Sequence, residues 1–339
     1  MKSLILIGEK GNKVVFENIG IPKIKGKQIL VRVKRAGICG TDIKLYTGNY
    51  YTDSNVCPIV LGHEFIGEVV EVGNKVSNAK IGDRIVAQPT YISCEQCKYC
   101  KQGEFNLCKS RKRIGFDCDG VFAEFVRLNE NQIYHVPDTI SDDAGALIEP
   151  LTVAVRGVYR ANVKPSDTVL ISGPGAIGLL TALVAKQFGA RVIVSGTPAD
   201  VKRLEIASQL GVDMVVMTDE LPKKLKHKEI EVDIVFECSG NEHAVNLGLN
   251  ILRPKGQFVQ IGTSSKMVNV SFMDIAYKEL IVTGSIAAIS NDWHTAINLM
   301  EKIQTQALLI VKKVLPLEEF EKGFDEFLQN GSPKILFTP

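Results

Sequence analysis

The sequence predicts an α/β protein of two domains, a β-rich unit and a doubly wound parallel sheet. Its 339 residues amount to two domains at roughly 150 residues each. Residues 1 to about 125 are short β runs punctuated by glycine turns. From about Asp167 onward, strand and helix alternate, the pattern of a parallel sheet with helices on both faces.

Element by element, Gln28–Arg35, Phe65–Val72, Arg84–Gln88 and Phe122–Leu128 read as strands of a barrel or sandwich. TVLIS from Thr168 opens the second pattern, followed by a glycine turn and a helix to Phe188. RVIVS from Arg191 is followed by a helix from about Asp200 to Leu210. DMVVM, VDIVFE, GQFVQIG and ELIVTGSI supply further strands, with NEHAVNLGLNIL as an intervening helix. After Ile289 come an amphipathic helix, Trp293–Lys302, and a short tail ending in KILFTP. The tail is too short for a domain and is assigned back to the first unit. The expected boundaries are therefore 1–150 with 289–339 for the β-rich domain, and 151–288 for the parallel sheet.

Composition excludes several classes. Apolar residues are 45% and charged residues 23%, enough for a substantial core and against long disorder. Forty basic against thirty-eight acidic side chains leave a net charge of +2. That supplies no field for holding nucleic acid or an anionic membrane. The uncharged run Thr168–Ala185 is broken by Gly173, Pro174, Gly175 and Gly178, so no membrane span is expected. The N-terminus turns polar after seven residues and lacks a signal-peptide core, which predicts a cytoplasmic protein. Eight cysteines in such a setting call for metal rather than disulfides.

Gly173-Pro174-Gly175-Ala176-Ile177-Gly178 fits G-x-G-x-x-G between a strand and a helix. The first glycine makes the turn, the second admits a pyrophosphate, and the third packs helix on strand, with free N–H groups aimed at phosphate. The next strand ends at Ser195 and Gly196, with no acid where NAD-binding chains carry one. Thr197, Lys202 and Arg203 follow, a hydroxyl and two cations able to meet a 2′-phosphate, so the reading leans to NADP over NAD. Asp200 is the competing possibility, an acid displaced along the loop.

Cys94, Cys97, Cys100 and Cys108 have the short gaps of a closed tetrahedral zinc site with a structural role; an iron–sulfur cluster is the competing metal and unligated thiols the plain alternative. Two other segments suggest a second, open metal site: Gly37-Ile38-Cys39-Gly40-Thr41-Asp42 and Gly62-His63-Glu64-Phe65-Ile66-Gly67. A third, Leu147-Ile148-Glu149-Pro150, adds a carboxylate.

Together these segments resemble the zinc-dependent medium-chain dehydrogenase/reductase family, in its polyol (sorbitol/L-iditol) and threonine dehydrogenase branch. The resemblance covers essentially the whole chain. The run Gly62-His63-Glu64-x2-Gly67-x5-Gly73-x2-Val76 matches the family's zinc signature at every fixed position. It implies a GroES-like catalytic domain, a Rossmann domain, two zincs per chain, and an active site in the cleft. Cys39 and His63 would ligate the catalytic zinc, with Glu64 and Glu149 as carboxylates bound directly or in exchange with water. Thr41 matches the proton-relay hydroxyl and Asp42 the acid that orients His63. Lys44 stands where many members have a relay histidine. Tyr46, Tyr50, Tyr51 and Phe116 are candidate pocket walls.

The implied reaction is reversible NAD(P)-linked oxidation of a secondary alcohol, on a polyol or sugar-derived substrate. The alternative substrate is an amino alcohol or hydroxy amino acid, as in threonine dehydrogenases. A zinc-free enone reductase would need none of the zinc ligands, and a non-catalytic nucleotide-binding protein would show no turnover. The resemblance also implies a homodimer or homotetramer pairing near Ile281–Ala287.

Overall fold

The computed structural model describes residues 1–7, 13–48, 57–264, 266–329 and 331–339. The chain divides into two units. The first comprises Met1–Glu149, Ala288–Gln304 and Val311–Pro339; the second comprises Pro150–Ala287 and Thr305–Ile310.

In the first unit the Gln28–Gly37 strand is the hub of a seven-stranded sheet. It pairs antiparallel with Glu64–Val72, with Phe125–Asn129 and, through its last residues, with Lys334–Thr338. The sheet continues to Arg84–Ala87 and Ile133–His135 on one side, and to Val311–Pro316 on the other. Gly37 therefore faces two partners, Glu64 and Leu336. Side chains alternate faces along a strand, so this register also brings the head of the Lys334–Thr338 strand toward Glu64. The apolar faces enclose a core that includes Ile29, Val31, Phe65, Phe122, Phe324 and Phe337.

The second unit holds a six-stranded parallel sheet in the spatial order Met214–Met217, Arg191–Gly196, Thr168–Ser172, Val232–Glu237, Leu252–Gln260, Ile281–Gly284. All five residues of Thr168–Ser172 are buried, as expected of a central strand covered on both faces. The chain builds outward from Thr168–Ser172 to one side, then returns to Val232–Glu237 on the other. The order reverses between those two strands, and their carboxyl ends form the crevice in which open α/β sheets bind ligands.

Two expectations need correction. The tail after Lys302, to which no elements were assigned, is structured: the Ser290–Ala307 helix runs longer than expected, and Val311–Pro316, Phe320–Gln329 and Lys334–Thr338 follow as strand, helix and strand. The C-terminal segment is also not all returned to the first unit. Thr305–Ile310 belongs to the second, where the Leu308–Ile310 turn packs against the Val201–Gln209 helix and Ala307 and Ile310 are buried. Among the described residues, no helix is long and apolar enough to cross a membrane.

Candidate active site

Cys39 is placed by the turn from strand to helix, as the extended N-cap residue of the Gly40–Tyr46 helix. Asp42, completely buried, accepts a hydrogen bond from the Cys39 amide at 2.8 Å. Its other oxygen lies 3.6 Å from His63 Nδ1, an ion-pair distance. Phe116 packs on the His63 ring at 4.9 Å, under the Arg113 guanidinium. The ligand atoms of Cys39, His63 and Glu64 lie within 4.8 Å of one another.

A residue absent from the sequence reading completes this cluster. Lys334 is 2% exposed and Glu64 1% exposed; Lys334 Nζ donates to Glu64 Oε2 at 2.5 Å and to the Ile38 carbonyl at 2.8 Å. Burial alone would lower the lysine's pKa, but Glu64 and Cys39 hold it above its ordinary value. Removing one partner of such a pair strands a buried charge, at a cost of about 3–5 kcal/mol. The pair fits only because position 37 is glycine: a Cβ there would stand 2.6 Å from Glu64 Oε2. One Glu64 oxygen is thus held by lysine while the carboxylate still reaches the Cys39–His63 cluster.

Glu149, in the first turn of the Ile148–Arg160 helix, does not join the three converging ligands. It is buried beside them, and burial raises its pKa to about 7, with His63 and Lys334 opposing and Glu64 and Asp42 adding to the shift. For His63, burial disfavours the charged ring, yet Asp42 and Cys39 hold its pKa well above the usual value. The cluster is built to stabilise positive charge. Thr41 Oγ1, Asp42 Oδ1 and His63 Nδ1 are buried without hydrogen-bond partners. A thiol, an imidazole and a carboxylate in such surroundings fit zinc. Lys44 lies half-buried in the last turn of the Gly40–Tyr46 helix, and Tyr46 packs on Phe324. Tyr50 and Tyr51 lie outside the described residues.

The four lobe cysteines form a second group, again with sulfurs within 4.8 Å of one another. Cys97–Cys100 and Cys94–Cys100 sulfur separations are 3.5 and 3.9 Å. Tetrahedral zinc with bonds of about 2.3 Å separates its sulfurs by roughly 3.8 Å, so the cage has the required size. The Cys97 amide, followed by that of Gln96, donates to Cys94 and lowers its pKa to about 6, favouring the thiolate that metal needs.

In the second unit, Gly173 has φ +98°, and a Cβ on Gly178 would stand 2.0 Å from the Gly173 carbonyl oxygen. At Gly175, N-cap of the Ala176–Gln187 helix, a Cβ would meet nothing within 4 Å. Two glycines are therefore demanded by packing and one faces open space, as a phosphate-binding turn requires. Ile177 sits in the first turn of that helix, where its carbonyl accepts from Thr181 Oγ1 at 2.7 Å. Ser195 is buried, and its carbonyl accepts from the Gly173 amide at 3.0 Å. Beyond Gly196, Asp200 accepts from Thr197 N and Oγ1 at 3.0 and 2.8 Å and pairs with Arg203 at 3.0 Å. A carboxylate therefore stands at this strand end after all, and Arg203 is partnered by it.

Two family models match the chain: alcohol dehydrogenase GroES-like domain over residues 25–138, and zinc-binding dehydrogenase over residues 176–302. Sorbitol dehydrogenase of Halalkalibacterium halodurans is 35% identical over 317 residues, 92% of each chain. D-arabitol-phosphate dehydrogenase of Enterococcus avium is 36% identical over 331 residues, 96% of this chain and 94% of that one. A zinc-binding dehydrogenase from Sinorhizobium meliloti 1021, solved bound to NADP, superposes with a TM-score of 0.88 at 31% identity, covering 100% of this chain and 99% of that one. With its GroES-like and Rossmann units, its cysteine–histidine–glutamate cluster and its glycine turn, the chain belongs to the zinc-dependent, nicotinamide-linked alcohol dehydrogenases of the medium-chain family, in the polyol dehydrogenase branch.

Proposed function

We propose that the protein interconverts a secondary alcohol of a polyol or sugar-derived substrate and its ketone, with one zinc held by Cys39, His63 and Glu64 and a second by the four lobe cysteines. The observation that carries this reading is the convergence of three unlike donors within 4.8 Å, on the framework of a dehydrogenase. An alcohol is too weak an acid to release hydride while protonated. Bound zinc supplies the Lewis acidity that lowers its pKa, and the dinucleotide supplies the hydride acceptor. The side chains do the rest. Asp42 orients the imidazole, Phe116 packs over it, and the unpartnered Thr41 hydroxyl relays the substrate's proton, accepting it while giving up its own toward water. Glu149 stands ready as a further carboxylate beside the three. The lobe cysteines tie down their loop and leave no position for substrate.

Cofactor choice runs against the expected NADP. Asp200, paired with Arg203 and hydrogen-bonded to Thr197, is an acid just beyond this strand end, which supports assigning NAD as the preferred dinucleotide. A second copy of the chain is assigned to the exposed edge strand Ile281–Gly284, flanked by the exposed Phe272, Met273 and Tyr277.

The test is zinc content measured alongside turnover on sugar alcohols, polyol phosphates and threonine. Wild type is expected to hold two zincs and oxidise a polyol. Cys39→Ser should hold one, keep dinucleotide binding, and fall below about a tenth of wild-type rate. Cys97→Ser should lose the other zinc together with thermal stability. A Cys39→Ser enzyme that turns over normally overturns the assignment.

A further inference from the structure

The Val232–Glu237 strand ends in a carboxylate that the chemistry above does not use. Glu237 is completely buried, and in the parallel ladder it stands opposite Ser172, the residue before Gly173. Its Oε1 accepts from Ser239 N at 2.8 Å, from Gly240 N at 3.1 Å, and from Ser239 Oγ. Its Oε2 accepts from Gly240 N at 2.9 Å and from Gln260 Nε2 at 2.6 Å. Each of these donors is neutral. A carboxylate removed from water is costly unless its lone pairs are filled, and here backbone and side-chain donors fill them. Joining strand ends does not in itself require a charge.

The place that Glu237 shapes is specific. By drawing in the amides of Ser239 and Gly240 it folds the turn after Cys238 back on itself. Ser239 Cβ then lies 2.9 Å from where a Cβ on Gly173 would be, so the glycine turn rests against it. Gly240 N lies 2.4 Å from where a Cβ on Gly262 would be, so the end of the Leu252–Gln260 strand closes on the same turn. The ends of three strands thus meet around one carboxylate, at the crevice where the sheet order reverses.

We propose that Glu237 is a positioning residue for the dinucleotide, clamping the Ser239–Gly240 turn against Gly173 so that the phosphate-binding turn is preformed. This rests on the reading that Gly173–Gly178 holds the dinucleotide. Preorganisation of this kind appears as binding affinity, because the cost of ordering the turn is met before the ligand arrives. Glu237→Gln replaces one accepting oxygen with an amide that faces donors.

The experiment uses the zinc-loaded enzyme and titrates NADH by fluorescence, with steady-state kinetics and thermal unfolding on the same samples. For Glu237→Gln the NADH Kd and the dinucleotide KM should both rise about tenfold, while kcat at saturating dinucleotide moves less than about threefold. Zinc content and alcohol KM should not change. Gln260→Met, which removes the Nε2 donor to Glu237 and to the Gly262 carbonyl at 2.8 Å, should raise the Kd about threefold and serves if the first variant does not fold. A lowered melting temperature with wild-type Kd in the folded variant, or a wild-type Kd in Gln260→Met, overturns the proposal. A wild-type enzyme that binds no NADH overturns the underlying reading of the glycine turn as well.

Discussion

At the end of the Arg191–Gly196 strand a carboxylate is present although the strand's own last residues carry none. Asp200 reaches back from the next turn, and its Cβ lies 3.0 Å from where a Cβ on Gly196 would be. Adding an acid at 196 would crowd both Asp200 and Pro174, so Asp200 is the residue to change. Asp200→Ser should release Arg203 toward a 2′-phosphate and raise the NADP-to-NAD ratio of kcat/KM by about tenfold, an effect of roughly 1.4 kcal/mol. Steady-state kinetics with both dinucleotides check this, and an unmoved ratio would refute the role of Asp200. Residues of this kind divide by how locally their role is written. Cys39, His63 and Glu64 stand out because each sits in a short glycine-punctuated segment whose spacing reflects its chemistry. Lys334 does not, since its partner Glu64 lies 270 positions away and only the sheet register joins them.

At the scale of elements, a buried acid also holds a turn in place. Glu130 Oε2 accepts from Ser77 N at 2.7 Å, Ser77 Oγ at 3.2 Å and Asn78 N at 3.1 Å, and Lys27 lies 3.2 Å from its other oxygen. The Ser77 amide foremost, with that of Asn78 and the lysine, outweighs burial and holds the carboxyl below its ordinary pKa. Because the folded pKa lies below the unfolded one, the stabilisation is present above about pH 4.3 and is lost as pH falls through the folded value. Glu130→Gln should therefore melt about 2–4 °C lower at pH 7, with the gap closing as both proteins are taken toward pH 3. Melting curves across that range decide it; a gap independent of pH counts against the charge. The longer strands were legible from their apolar runs, though Phe125–Asn129 begins three residues later and Leu252–Gln260 four residues earlier than expected, and Lys2–Ile7, Lys13–Asn18 and Ile133–His135 were not named. The C-terminal return was not legible. Val311–Pro316 alternates half-buried and exposed residues with two lysines, so no apolar run marks it, and Phe320–Gln329 carries its buried Phe320, Gly323 and Phe324 in an otherwise charged segment.

At the scale of the molecule, alternating strands and helices together with the glycine turn were enough to indicate a doubly wound sheet. Sequence periodicity did not show Thr305–Ile310 joining that unit, because the Leu308–Ile310 turn packs against the distant Val201–Gln209 helix. The open edge of the sheet carries Ile281 and Val282 at 55% and 45% exposure, a flat apolar strand suited to pairing with its own copy. Val282→Lys should convert a dimer to monomers by light scattering at micromolar concentration; a wild type that is already monomeric, or a variant that remains paired, would refute that interface. The register at Gly37 has a further consequence, in the order of biosynthesis. The lobe cysteines span only fourteen positions, so their cage can close soon after it is made. The Glu64–Lys334 pair cannot form until 270 more positions have been translated, including all of the second unit. At roughly 5–20 residues per second that is a delay on the order of 15–50 s, during which Glu64 has no lysine to hold it. On the zinc assignment proposed above, the lobe cysteines can therefore gather early, whereas the Glu64–Lys334 pair beside Cys39 and His63 is completed late.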